Sequence, residues 1–324
     1  MESEKSCKSM IYDCFIFNSE LDLLKLRLAF MNSMVDYFVI CESGRTLSGE
    51  KKPLHFKEHE KEFEEYLPKI IHLEAPSRPD LTAWDYEYFQ RNYIKEGLKQ
   101  CKDDDLILIS DVDEIINLKN IVRLNGLKLP ALIELSYYYY FFNLKAGSTF
   151  TLNLLSNYSF IKNFNIGIRN PDYKEKVKNV IKKKSCVTGW HFSYLFGLDI
   201  EKYKTKVKSF SHQEYNTSYY LDDNRIKKCI ETGIDLFERE NIFFSFKKPE
   251  KELKEILPFI RQLGLEHYIH TKQKLSFSHL KHPGFIIKKK LLPFIKNELY
   301  TRPRYNLIVF TSPFRKKIRK LIFQ

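Results

Sequence analysis

No stretch of this 324-residue chain stays apolar long enough to cross a bilayer, for which about 20 consecutive apolar residues are needed. The opening MESEKSCKS is polar, so no secretory signal peptide is expected. Paired cysteines are also lacking. Cys7, Cys14, Cys41, Cys101, Cys186 and Cys229 are scattered, and no two have metal-ligand or redox spacing. Cys14 and Cys41 lie within apolar runs and read as buried thiols, which suits a reducing cytoplasm. Internal repeats are absent, and only the C-terminal tail is low in complexity.

The net charge of +13 would suit a nucleic-acid binder if it were spread over the chain. It is not. After Pro283 there are eleven Lys and Arg against one acid, Glu298. The body is near neutral, so no nucleic-acid partner is expected. The tail, 283–324, mixes basic and apolar residues. Phe314, Ile318, Leu321 and Ile322 fall on one helical face, with Arg315, Lys316, Lys317, Arg319 and Lys320 around it. A basic amphipathic helix of this kind suits an anionic membrane surface, which would place the protein in the cytoplasm at the inner face of the membrane. The other reading is a helix packed on the domain with its basic face solvated.

What the chain does have is alternation of strand and helix. Met10 to Phe17 and Asp36 to Cys41 are apolar, β-branched and aromatic runs, read as buried strands. Between them, Asn18 or Ser19 caps a helix with Leu21, Leu24, Leu28 and Met31 on one face. A charged helix is predicted over 57–67, a third strand over 69–73 and a long helix over 82–101. A fourth strand, 105–110, ends in Asp111-Val112-Asp113-Glu114. Such alternation predicts parallel βαβ units, hence an α/β fold with a sheet flanked by helices. Residues 131–143 read as another strand, followed by a loop-rich segment and a helical, charged region over 222–262.

Ligands bind open α/β sheets at the carboxyl ends of the strands. Asp111 and Asp113 stand at such an end, and carboxylates two residues apart in extended backbone project the same way. Their mutual repulsion is relieved by a cation, and hard oxygen ligands suit Mg²⁺ or Mn²⁺. An acidic turn capping the next helix is the competing reading. A metal-dependent phosphohydrolase with Asp111 as nucleophile or ligand is another, although Asp-x-Asp nucleophile motifs normally follow the first strand. A non-catalytic glycan- or membrane-binding protein on a transferase fold is a third.

Six segments in order resemble glycosyltransferase family 17, the family of β-1,4-mannosyl-glycoprotein β-1,4-N-acetylglucosaminyltransferases. They are IYDCFIFNSELDLLKLRL (11–28), VDYFVICESGRTLSGEKKPLHF (35–56), FQRN (89–92), DDLILISDVDEI (104–115), GWHFSY (189–194) and SFSHQEYN (209–216). The resemblance implies a GT-A type, Rossmann-like mixed sheet over 1–282. Its nucleotide-sugar half would span 10–115 and its acceptor half 116–282. It also implies a UDP-sugar donor with GlcNAc leading, a divalent metal and inversion at the anomeric carbon. The membrane anchor and stem of the animal members have no counterpart here.

On that basis Asp111 and Asp113 fall on the metal motif, with Asp111 binding metal or the donor ribose. His191 or His212 would complete the metal shell, since neutral imidazole ligates Mn²⁺. An inverting transfer needs a carboxylate base, for which Glu214, Glu134 and Glu114 are the candidates. Asp13 and Glu42 lie on the same sheet edge and would accept hydrogen bonds from uracil or ribose. Arg91 would reach the diphosphate. Trp84, Tyr86, Tyr88, Phe89 and the run Tyr137 to Tyr140 offer faces for stacking on sugar, although most such aromatics belong to cores. The acceptor is expected to be a surface glycan or a lipid-linked oligosaccharide.

Overall fold

The computed structural model describes residues 9–122, 127–169, 172–182, 187–239, 242 and 244–271. Residues 1–237 with 243–275 form one compact unit, and 238–242 with 276–324 a second. The basic tail expected to dock on membranes lies outside the described residues. Among those described, no helix is long and apolar enough to cross a membrane.

The first unit is an α/β fold around one mixed sheet. Its strands are β1 (Ile11–Ile16), β2 (Tyr37–Glu42), β3 (Ile70–Glu74), β4 (Leu106–Asp111), β5 (Glu114–Ile116), β6 (Ala131–Tyr139), β7 (Leu144–Asn157), β8 (Asn179–Ile181), β9 (Gly189–Ser193) and β10 (Phe244–Phe246). They run in the order β3-β2-β1-β4-β7-β6-β9-β5, with β10 on β7 and β8 on β6. The first four are parallel. β7 then joins β4 antiparallel.

Continuous apolar runs, whose side chains alternate between the two faces, explain why β1, β2 and β4 form here. Phe15, Phe38, Ile40 and Leu108 belong to the apolar cluster on one side of the sheet. Cys14, Val39, Cys41, Ile107 and Ile109 belong to the cluster on the other. Runs that are apolar at every position bury both faces, as parallel strands under helices must.

The predicted helix is present as Leu21–Met31, but not with a single stripe: Leu23, Leu24, Leu26, Arg27, Leu28, Phe30 and Met31 are all buried. It packs against both β5 and the helix Leu257–Gln262. Phe30 meets Trp190 and Phe259 edge-on, each at 5.4 Å. Neither Asn18 nor Ser19 caps it. Glu20 holds that position without a side-chain cap, and its carboxylate instead accepts from the Ser19 N–H and from Lys206.

Four other predicted segments differ. The charged segment 57–67 winds mostly as a 3-10 helix, Glu60–Lys69, with a proline inside it. The long helix is α-helical over Ala83–Tyr93, capped by the Thr82 hydroxyl, and tightens to 3-10 over Ile94–Leu98. The segment read as loop-rich contains β7, 14 residues long. β10 interrupts the region read as helical over 222–262, because Phe244 and Phe246 pair with β7.

Candidate active site

β4 delivers Asp111 to its carboxyl end, and β5 begins at Glu114. The turn between them holds Asp113. In the antiparallel β5–β9 ladder Glu114 lies opposite His191. The Phe192 N–H donates to the Asp113 carbonyl at 2.8 Å. These pairings bring one ligand atom each of Asp113, Glu114 and His191 within 4.8 Å of one another. His191 Nε2 stands 3.4 Å from Asp113 Oδ2. Tyr137 stacks on the imidazole at 5.0 Å and Phe150 packs against it at 4.1 Å.

Asp111 is held between two arginines. Arg91 Nη1 donates to Oδ1 at 3.0 Å and Arg169 Nη1 to Oδ2 at 2.5 Å. Arg169 Nη2 also donates to both oxygens of Glu114, at 2.7 and 2.8 Å. Arg91 reaches back one helical turn to Glu87 at 2.6 Å. Burial pushes the Asp111 carboxyl up, but Arg169, Arg91, His191 and Lys206 outweigh it and hold the group well below the usual carboxylate range. Burial dominates at Glu114 and, with the Asp111 charge, raises its carboxyl against the pull of Arg169.

Lys206, from the helix Ile200–Ser209, pairs with Glu20 at the edge of this group. Burial alone would lower its ammonium, yet Glu20 and Asp113 outweigh that and hold it well above its ordinary value.

The donor set suits a divalent cation. Two carboxylates and an imidazole provide hard oxygens and a borderline nitrogen, the combination Mn²⁺ accepts and Mg²⁺ partly shares. His191 Nδ1 is buried without a hydrogen-bond partner. Its other nitrogen, Nε2, faces Asp113 Oδ2, so the imidazole can present a ring nitrogen beside the carboxylate oxygens of Asp113 and Glu114. Charge agrees. Six acidic side chains, Asp13, Glu20, Glu87, Asp111, Asp113 and Glu114, share the four basic partners Arg27, Arg91, Arg169 and Lys206 here.

The other residues singled out from the sequence have different surroundings. Asp13 is fully buried in an ion pair with Arg27. Glu42 accepts from the N–H groups of Phe56 and Lys57, both at 3.1 Å, and pairs with His72 at 2.9 Å. Both carboxylates thus have protein partners where donor contacts were expected. His212 does not join His191. It lies at the surface, its Nδ1 2.7 Å from Glu214 Oε1 and its ring edge-on to Trp84 at 4.4 Å. Next to it, Ser211 donates to Glu87, which ties the His212–Glu214 pair to Arg91. Glu134 lies in β6 and accepts from Thr149 at 3.4 Å. Tyr86 and Tyr137 to Tyr140 are core residues, while Trp84, Tyr88 and Phe89 remain half-buried.

Two residues central to this geometry were not anticipated. Arg27 stands three residues after Leu24 and four before Met31, and a lone charge at apolar helical spacing was the available signal. Arg169 follows a short irregular segment and carries no periodic signal.

Beside the helix Ala83–Tyr93 lies a cavity of about 300 Å³, lined in part by Arg45, Ser48, Arg78 and Tyr86. It is built from the segments that follow β2 and β3.

The human β-1,4-mannosyl-glycoprotein 4-β-N-acetylglucosaminyltransferase is 33% identical over 109 residues, 30% of this chain and 20% of that protein. The rat protein of the same name matches to the same extent, and the mouse protein is 32% identical over 109 residues. The chain therefore spans only a fifth of the length of the curated relatives it matches, the 20% just given. The model of glycosyltransferase family 17, by contrast, matches residues 2–287, most of the sequence, and the chain belongs to that family.

Proposed function

We propose that this protein is a metal-dependent, inverting glycosyltransferase of GT-A type. It moves a sugar, GlcNAc first among the candidates, from a UDP-sugar to a hydroxyl of an acceptor glycan. The carrying observation is the meeting of Asp113, Glu114 and His191 within 4.8 Å, beside two guanidiniums at the carboxyl edge of parallel strands. Asp113, Glu114 and His191 would hold Mn²⁺ or Mg²⁺. Such an ion, when bound, neutralises the donor diphosphate and stabilises the charge that develops on departing UDP.

The protein's own groups supply the rest. The cavity at Arg45, Arg78 and Tyr86 is in the size range of small-ligand sites and offers cations beside an aromatic wall, which suits the nucleotide. Asp111 spends one lone pair of each oxygen on an arginine and keeps others for a ribose hydroxyl. Glu214 is the preferred base. Its side chain is 57% exposed, open to an acceptor, and a carboxylate acts in this way when within hydrogen-bond reach of the proton. The acceptor oxygen bonds to the anomeric carbon as the bond to UDP breaks, and the hydroxyl proton passes to Glu214. Glu114 is less suited, being fully buried with both oxygens on Arg169. Glu134 is the alternative base.

The printed name of the relatives describes a mannosyl-glycoprotein acceptor for those proteins. For this chain a glycan acceptor, as a surface polysaccharide or lipid-linked oligosaccharide, follows from the proposed chemistry and the basic tail. A phosphohydrolase is disfavoured because both oxygens of Asp111 are held by guanidiniums, which blunts a nucleophile.

Calorimetry of UDP binding, with and without Mn²⁺, tests the reading on wild type and Asp113→Ala. Metal-dependent binding that the substitution abolishes is expected, followed by turnover of UDP-GlcNAc in an acceptor screen. A wild-type protein that binds no UDP under either condition would overturn the proposal.

A further inference from the structure

We infer that Arg27 is a positioning residue that sets the metal-binding turn, holding the backbone of residues 111–114 so that Asp113 and Glu114 face His191. The inference rests on the proposed metal site but concerns this chain's own geometry.

A guanidinium has five N–H donors and no way to shed its charge. Arg27 is fully buried, so each donor needs an acceptor. Nε donates to Asp13 Oδ2 at 2.8 Å, and Nη2 to Asp13 Oδ1 at 2.6 Å and Ser110 Oγ at 2.5 Å. Nη1 donates to the carbonyls of Asp111 at 2.7 Å and Glu114 at 2.8 Å, with Val112 at 3.3 Å. All five donors are satisfied, and half of the contacts fall on the backbone of one short turn.

Packing does not demand this arrangement. Leu24, Leu28 and Met31 on the same helix are completely buried without polar groups. An apolar residue in place of a buried ion pair is often neutral or stabilising. What Arg27 adds is direction. With the carbonyls of the turn tied to the helix, the side chains of Asp113 and Glu114 meet His191, and Asp111 meets Arg91 and Arg169. Phe30, three residues on, packs edge-on against Trp190, the neighbour of His191. One helix thus locates both halves of the ligand set. Asp13 acquires a role in the same stroke: it neutralises and orients Arg27 by a two-pronged pair.

The test combines Mn²⁺ affinity, read by electron paramagnetic resonance of the free ion, with amide exchange in the metal-free protein. The variants are Arg27→Lys, Asp13→Asn and the milder Ser110→Ala, which removes a single acceptor and should fold. Arg27→Lys and Asp13→Asn are expected to weaken Mn²⁺ binding about 10- to 100-fold, as loss of outer-shell partners does. All three should exchange amides 111–114 faster while those of β2 stay protected. Mn²⁺ affinity and turn exchange both unchanged in Arg27→Lys and Ser110→Ala would overturn the role of Arg27. Should wild type bind no Mn²⁺, the functional reading falls by itself. The metal-free exchange of the turn would then decide Arg27: equal rates in wild type and variants refute it, and faster rates in the variants sustain it.

Discussion

Glu114 and His191 stand directly opposite each other in the β5–β9 ladder, and His191 pairs on its other side with Tyr137 of β6. The candidate metal site is therefore a product of strand register, and a slip of one residue would send His191 to the opposite face. Gly189 guards that register. A Cβ there would lie 2.5 Å from the Ile115 carbonyl and 2.8 Å from Leu135 Cδ2, at a φ of +153°. Gly189→Ala is expected to cost about 2–3 kcal/mol, in the range of mutations that strain a special backbone position. In urea unfolding, Mn²⁺ should stabilise wild type and leave the variant unchanged. A variant stabilised as much as wild type would show that the register does not build the site.

Arg169 is the partner of a completely buried carboxylate, so its loss has a different signature. Arg169→Ala leaves Glu114 buried without its partner, a defect of about 3–5 kcal/mol. Adding Glu114→Gln removes the stranded carboxyl and should recover much of that stability. A double-mutant cycle by urea unfolding checks this. Purely additive losses would mean that Arg169 stabilises through its other contacts, Asp111 and the ring of Phe150, over which it lies at 5.9 Å.

How much of this was legible depended on whether a residue's partners are local. β1, β2 and β4 are apolar at nearly every position, so their strands, and Asp111 at the last of them, follow from pattern alone. β7 escaped because Gly147, Ser148 and Thr149 are exposed in its middle. Its extended form comes from pairing with β6 just before it and with β4 and β10, partners farther away in sequence. Asp13 and Glu42 were legible as carboxylates on the sheet edge, but not as consumed by Arg27 and by the N–H groups of Phe56 and Lys57. His191 and His212 were equivalent on paper. Only the β5–β9 register separates them.

Glu42 yields a pH prediction. Burial raises its carboxyl, but the hydrogen bonds from His72, Phe56 and Lys57 outweigh burial and hold it below its ordinary 4.5. A carboxyl depressed in the folded state stabilises the protein above its unfolded pKa, and that contribution is lost as pH falls through the folded value. Wild type should therefore lose stability below about pH 4.5, and Glu42→Gln should lose less over the same interval. Thermal unfolding of both proteins across the acid range gives the answer. Parallel curves would mean that Glu42 contributes nothing to the acid limb.

The pair His212 and Glu214 separates base catalysis from acceptor binding. Glu214 Oε1 lies 2.7 Å from His212 Nδ1, and the imidazole meets Trp84 at 4.4 Å. Despite partial burial, the hydrogen bond from His212 keeps the Glu214 carboxyl below its usual range, hence ionised and ready to accept a proton. If Glu214 is the base, Glu214→Gln lowers kcat by about 10²- to 10⁴-fold, the usual yield of general-base catalysis, and leaves UDP binding intact. Trp84→Ala removes a stacking face without touching the proton acceptor, so its effect should appear in the acceptor KM with kcat largely kept. Steady-state kinetics with the acceptor varied tells the two apart. A Glu214→Gln enzyme with near-normal kcat would transfer the role to Glu134, the remaining candidate whose carboxylate is not committed to Arg169.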